Sequence, residues 1–245
     1  MAINYDTLAS SYDNHRRGGG PYINRLLELA IESNAQDILE LGAGTGNNTE
    51  TFLQRHPCPR FFALERSLRM LEKGRGKPLP AHWLQGDAEH LPFASASQDF
   101  IFSVYMLHHI LDLDRLMSEC FRVLHSGCAV FVTTTHDYIR RHPMNAYFPS
   151  FSHVDTSRFQ DLPEVEASMH SAGFQHVQTE ICRAAPAPID AQYVEKVAGQ
   201  FISTYALIPK GEFASGLARL QSDVAERGKL PTPIIWESAI IWGRK

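Results

Sequence analysis

The sequence predicts a doubly wound α/β fold on a mostly parallel sheet of seven strands. Three observations carry this. Short apolar runs alternate with segments of helical period, as in successive βαβ units. The run Asp37-Ile38-Leu39-Glu40-Leu41 ends in Gly42-Ala43-Gly44-Thr45-Gly46 and passes directly into a helical pattern. Acidic residues, Glu65 and Asp87, close the next two apolar runs, on the edge where open α/β sheets bind ligands.

The elements follow in order. Helical period covers residues 21–33, then a strand at 37–41 and a helix at 48–55. The apolar run 60–64 is a second strand and 67–73 its helix. Strands follow at 82–85, 100–104 and 129–134, with a helix at 113–124 between the last two. Residues 163–172 read as a helix ended by Gly173 as C-cap. Strands at 176–182 and 239–243 complete the sheet. Ala184-Ala185-Pro186-Ala187-Pro188 breaks regular structure and opens a connection of about fifty residues, with helical character at 193–204 and 212–226. We therefore expect one domain over 1–245, with 184–233 as a helical insertion or cap.

Composition excludes several classes. A net charge of -4 argues against a surface built for nucleic-acid phosphates. No apolar run reaches the eighteen or so residues that span a bilayer, which argues against a membrane partner, and the N-terminus lacks a secretory pattern. Cys58, Cys120, Cys128 and Cys182 are scattered, as in a reduced, cytoplasmic protein. The twelve histidines form no H-x-x-x-H pair and have no companion ligand cluster, so no metal site is expected.

The glycine turn is a nucleotide-cradle signal. Its spacing is G-x-G-x-G, because Asn47 holds the third-glycine position of the dinucleotide fingerprint, and this turns the reading from NAD toward S-adenosylmethionine. Glu65, nineteen positions after Gly46, is in register to accept hydrogen bonds from two ribose hydroxyls. Asp87 either accepts from an exocyclic amine such as adenine N6 or only caps the next turn.

Several stretches together resemble the class I S-adenosylmethionine-dependent methyltransferases, of the small-molecule type that includes the ubiquinone and menaquinone C-methyltransferases (methyltransferase type 11). These are Glu40-Leu41-Gly42-Ala43-Gly44-Thr45-Gly46, Leu64-Glu65-Arg66-Ser67, Gly86-Asp87-Ala88-Glu89-His90-Leu91-Pro92-Phe93 and Arg122-Val123-Leu124-His125-Ser126-Gly127. Glu65 replaces the commoner Asp, and Cys128 replaces the second glycine of the last motif. The resemblance spans roughly residues 5–182. It implies a Rossmann-like sheet with an antiparallel final strand and S-adenosyl-L-methionine as cofactor. It also implies cofactor contacts from Tyr12, Glu40, Gly42, Ala43, Gly44, Gly46, Glu65, Arg66, Asp87, Ala88 and Ser103. For the Tyr12 segment, an amphipathic helix packed on the sheet is the alternative.

Methyl transfer is a displacement that needs an aligned acceptor and, for many acceptors, removal of a proton. The candidates follow the fourth strand, in Ser103-Val104-Tyr105-Met106-Leu107-His108-His109. Adjacent histidines are expected to point different ways. His108 is the candidate base, and His109 packs toward cofactor or sheet; the alternative is a structural pair at a helix start. Tyr105, His109 and, after the fifth strand, His136 are candidates for contact with the acceptor. Arg140-Arg141-His142-Pro143-Met144-Asn145-Ala146-Tyr147-Phe148-Pro149 reads either as a lining for an anionic or aromatic acceptor or as an ordinary helical turn.

The expected function is methyl transfer to a small organic acceptor at oxygen, nitrogen or carbon. Ser103-Val104-Tyr105-Met106 lacks the Asn/Asp-Pro-Pro-Tyr/Phe of amino-methylating DNA enzymes. The alternatives are a tRNA or carrier-protein-bound acceptor, and a non-catalytic module that binds S-adenosylmethionine.

Overall fold

The structure, a computed structural model, describes residues 18–58 and 60–245. They fall into two compact units. The first runs through Thr133 and adds Gln160–Cys182 and Ser238–Lys245; the second is Thr134–Phe159 with Arg183–Glu237.

The first unit is the sheet. Its strands are β1 (Asp37–Leu41), β2 (Arg60–Glu65), β3 (His82–Gln85), β4 (Gln98–Val104), β5 (Leu124–Thr133), β6 (Gln175–Arg183) and β7 (Glu237–Arg244). Their order is β3-β2-β1-β4-β5-β7-β6. The pairings β1–β2, β1–β4, β2–β3 and β4–β5 are parallel, and β7 runs antiparallel to β5. This is the doubly wound, mostly parallel sheet with an antiparallel final strand that the sequence predicts.

Alternation along β1 shows why both faces are covered. Ile38 joins a cluster with Leu26, Leu27, Leu29 and Ala30 of α1 (Ile23–Glu32) and with Phe52 and Leu53 of α2 (Asn47–Arg55). Leu39 and Leu41 join a second cluster. Leu116, Met117, Cys120 and Val123 of α4 (Leu113–Val123) lie in it, with Val165 and Met169 of α7 (Leu162–Ala172). Between these helices in the chain comes α3 (Leu68–Arg75), whose Ser67 accepts from Met70 N–H as N-cap. Asp161 and Glu164 form a capping box on α7, and Gly173 ends it in the left-handed region.

Strand β5 starts five residues earlier than its hydrophobic run suggests. Leu124 pairs with Gln98 ahead of a register shift that restores pairing at Phe100 and Cys128, so a polar, irregular segment still belongs to the ladder.

The second unit holds α5 (His136–Arg141), α6 (Phe151–Thr156), α8 (Ala191–Ala198), α9 (Ser203–Leu207) and α10 (Lys210–Arg227), with a 3₁₀ turn at Pro143–Ala146. The helical segment expected at 193–204 is two helices, broken near Gly199 and Gln200, the latter at φ 50°. Its core is aromatic: Phe148 stacks on Phe213 at 5.7 Å between ring centres, and Phe151 lies 5.7 Å from Tyr205.

Candidate active site

Parallel register gathers the ends of four strands at one edge. Leu41 of β1 pairs with Leu64 of β2 and with Ser103 of β4, while Glu65 pairs with Gln85 of β3. The segments that follow, 42–46, 86–93 and 105–109, therefore leave the sheet on the same side.

In the glycine turn, Gly42, Gly44 and Gly46 take φ of 68°, 58° and 80°. Ala43 N–H donates to Leu64 O at 3.0 Å, and Gly46 N–H returns to Ala43 O at 2.9 Å. A Cβ at Gly42 would lie 2.5 Å from Met106 Cγ, and one at Gly46 would lie 2.6 Å from Trp83 Cη2. At Gly44 it would meet nothing within 4 Å. Gly44 thus borders open space beside the N-terminus of α2, whose cap has no side-chain hydrogen bond. Backbone N–H groups at such an end are ready donors.

Glu65 is locked onto this turn. Its Oε2 accepts from Gly44 N–H at 2.8 Å and its Oε1 from Ser67 N–H at 2.7 Å. Each oxygen keeps a further lone pair for a ligand hydroxyl. Glu40 lies inside the sheet, where its Oε2 accepts from the Thr49 hydroxyl at 2.5 Å. Burial pushes its carboxyl up to about 8, against the pull of that hydrogen bond.

Asp87 is half-buried, and its Oδ1 accepts from Glu89 N–H at 3.0 Å, so it does cap the next turn. The segment 86–93 is then clamped from α4. Glu119 Oε2 accepts from Leu91 N–H at 2.8 Å. Arg122 grips Glu119 with Nε and a terminal nitrogen, both at 2.8 Å, and also donates to the carbonyls of Phe93 at 2.9 Å and Leu91 at 3.1 Å. That bidentate Arg122 holds the Glu119 carboxyl below its ordinary range. The Arg-Val-Leu motif thereby buttresses the motif that carries Asp87. Ala88 packs on the second core cluster, Arg66 is exposed, and the buried Ser103 hydroxyl has no hydrogen-bond partner among the described residues.

Tyr105 follows β4 with φ 51°, a conformation that costs a side-chain-bearing residue energy. Its N–H is tied to Val132 O at 2.8 Å, and its hydroxyl shares a 2.7 Å hydrogen bond with buried Ser238. The residue as a whole stays 37 % exposed. His108 and His109 sit on a 3₁₀ turn with ring centres 3.9 Å apart. The expected divergence of the two does not occur, because the tight turn lets adjacent rings lean together. His136 opens α5 in the second unit, where its Nε2–H donates to Phe159 O at 2.7 Å. Tyr12 lies outside the described residues.

Two features of the site went unread in the sequence. Asn48 Oδ1 accepts from Gly19 N–H at 3.0 Å and from the Tyr22 hydroxyl at 2.9 Å, pinning the glycine triplet 18–20 onto the start of α2. The triplet itself was the available signal. Thr49, the partner of Glu40, gave none beyond its place three residues after Gly46.

A family model described as "Methyltransferase domain" matches residues 39–132, which hold the glycine turn, Glu65, Asp87 and the β4 end. The chain is 32 % identical over 179 residues to the biotin biosynthesis bifunctional protein BioHC of Cellvibrio japonicus, covering 71 % of this chain and 35 % of that protein. It is 30 % identical over 125 residues to a demethylmenaquinone methyltransferase of Thermotoga maritima, covering 49 % and 55 %. A malonyl-[acyl-carrier protein] O-methyltransferase of Erwinia pyrifoliae is 30 % identical over 173 residues, covering 70 % and 64 %. The chain thus spans less than two thirds of each of these relatives. Among solved structures, a protein of Anabaena variabilis attributed to methyl transfer in an antibiotic biosynthesis pathway superposes with a TM-score of 0.67 at 21 % identity, over 90 % of this chain and 96 % of that one. At that identity the likeness speaks to the fold.

Proposed function

Because this chain belongs to the class I S-adenosylmethionine-dependent methyltransferase family, we propose that it transfers a methyl group from S-adenosylmethionine to a small organic acceptor. The observation that carries this reading is the Glu65 carboxylate, fixed by the Gly44 and Ser67 amides beside the open space at Gly44. A ribose diol needs such a two-oxygen acceptor, and a ligand lying against the backbone needs that space.

In this reading Glu65 receives the ribose hydroxyls, and Asp87 receives the adenine amine through the lone pairs its turn leaves over. The glycine amides and the α2 N-terminus line the path between. Bound there, the cofactor supplies an electrophilic methyl group. Tyr105 and His109 bear on the acceptor, and a ring nitrogen of His108 takes the acceptor's proton where one must leave. Orientation supplies the rest of the acceleration. His136, Arg66, Ala88, Ser103 and Tyr12 complete the proposed contacts.

The test is formation of S-adenosylhomocysteine from S-adenosylmethionine with a panel of phenols, amines, carboxylates and quinol analogues. Turnover with one class fixes the methylated atom. No turnover across the panel, with cofactor binding intact, would favour a binding module. A second reading, an acceptor carried as a protein-bound thioester, is supported by the relative named for malonyl-[acyl-carrier protein]. Including such a carrier in the panel separates the two.

A further inference from the structure

Gly74 is out of place in α3. It is buried, it has no left-handed φ, and the helix is capped by Gly76, so its backbone would favour alanine. Space explains it. A Cβ there would stand 2.4 Å from both Cη2 and Cζ3 of Trp83, the half-buried indole of β3. The neighbouring Arg75 donates a terminal N–H to Trp83 O at 2.9 Å, so α3 holds this residue by ring and main chain alike. Gly74 takes the Cζ3 side of the indole, and Gly46 takes the Cζ2 side. A Cβ at Gly46 would stand 2.6 Å from Cη2 and 3.1 Å from Cζ2. Trp83 is thereby wedged between two glycines of different elements, one in α3 and one the left-handed N-cap of α2. At the other end of the glycine turn Met106 closes on Gly42, and Gly44 between them borders open space.

We propose, on the reading that the glycine turn receives the cofactor, that Trp83, seated in the notch of Gly74, is a positioning residue for that turn. It acts through Gly46 and not by touching the ligand. The ring backs Gly46, so the amides at the start of α2 keep one spacing from the Gly44 N–H that Glu65 holds. A ligand then meets donors that are already ordered. An indole is rigid and this one is packed on both sides, so it passes a displacement on instead of absorbing it. Gly74 matters because any side chain there drives the ring toward Gly46.

Calorimetric titration of the full chain with S-adenosylhomocysteine tests this, at a temperature where circular dichroism shows every variant folded. Trp83→Phe, whose ring stops short of the Cη2 position, should weaken binding about tenfold. Gly74→Ala should weaken it about as much, although alanine is the better helix former. It carries the test alone should Trp83→Phe not fold. Combined, the two should bind no more weakly than Trp83→Phe, because the added methyl group enters space the indole has left. Independent effects would instead multiply to about a hundredfold. Val165→Ala, a cavity in the other core cluster, controls for stability and should bind within about twofold of wild type. A merely structural Trp83 would move thermal stability and leave affinity where it was. Binding within about twofold of wild type in Gly74→Ala and Trp83→Phe, an equal loss in Val165→Ala, or a hundredfold loss in the double variant overturns the proposal. Each of these leaves the cofactor site standing. Failure of the wild type to bind S-adenosylhomocysteine removes both.

Discussion

The two units of this chain hold their polar groups in different ways. In the first, the two carboxylates proposed to receive the ribose and the adenine are fixed by main-chain amides: Glu65 by Gly44 and Ser67, Asp87 by Glu89. In the second, the buried Asp155 is fixed by other side chains within an aromatic core, and His142 by a ring and the Met144 amide. Asp155 accepts from Arg158 at 2.7 Å and from the Thr204 hydroxyl at 2.8 Å, and His142 lies flat on Phe151 at 4.7 Å. Amide-held carboxylates keep spare lone pairs pointed outward, which suits ligand binding. Pairs held by side chains are closed on themselves and stabilise only the body that contains them.

The largest effect should come from opening such a pair. Arg158 and Asp155 are 13 % and 9 % exposed in their side chains, and burial already raises the Asp155 carboxyl despite its partner. Arg158→Ala leaves that acid uncompensated, at a cost of about 3–5 kcal/mol. Thermal denaturation should show it, while affinity for S-adenosylhomocysteine, measured at low temperature, stays within about threefold. A loss under about 1 kcal/mol would mean the pair is solvated in solution, as exposed pairs are.

Gly44→Ala is the converse. The left-handed backbone costs an alanine about 1 kcal/mol, and its methyl group meets no protein atom. Stability should therefore change little. Cofactor affinity should fall about a hundredfold, close to 2.7 kcal/mol, because the methyl group fills the space beside the Glu65 carboxylate. Equal affinity in calorimetry would place the ligand elsewhere on the edge.

The same contrast explains what could be read before the structure. The first unit was legible because its turn demands residues without Cβ at 42, 44 and 46, and its carboxylates must sit at strand ends in register. Those demands leave fixed spacings. Residues 151–156 gave no helical signal, since six residues are too few for a period to emerge. The helical pattern at 193–204 hid the break at Gly199 and Gln200 because its apolar residues continue through it. An aromatic core accepts many arrangements of Phe, Tyr and Trp, so the contacts of Phe148, Phe151 and Tyr205 leave no spacing to find. Thr49 and Asn48 were missed for another reason: a hydroxyl or amide earns its role from a partner distant in sequence.

Acid should separate the units next. Burial against Phe151, Tyr138 and Trp236 lowers the His142 imidazole to about 3. The unfolded chain therefore binds a proton near 6.5 that the folded one refuses, and stability falls as pH drops from about 6.5 toward 3. By pH 5 the loss is about 2 kcal/mol. Glu40 in the first unit has the opposite sign, its contribution being full below about 4.5 and lost as pH rises through about 8. Chemical denaturation at pH 5 and pH 7 on the wild type and His142→Phe should show a smaller acid loss in the variant. An unchanged loss would assign it to other groups.

Asp87 gives the smallest and most discriminating effect. Its Oδ1 caps a turn through Glu89 N–H, and the proposed adenine contact uses the acceptor capacity left over. Asp87→Asn keeps an amide oxygen for the cap, so stability should hold within about 0.5 kcal/mol of wild type. It also replaces an acceptor with an NH₂ donor, which cannot receive a hydrogen from the adenine amine. Affinity for S-adenosylhomocysteine should therefore drop about tenfold, or 1.4 kcal/mol. Asp87→Ala removes both roles and should lose a further ~1 kcal/mol of stability for a similar loss of affinity. If Asn binds as well as Asp while Ala is destabilised, Asp87 is a turn cap alone. The amide-held carboxylates of the first unit would then serve the ligand through Glu65 and not through both.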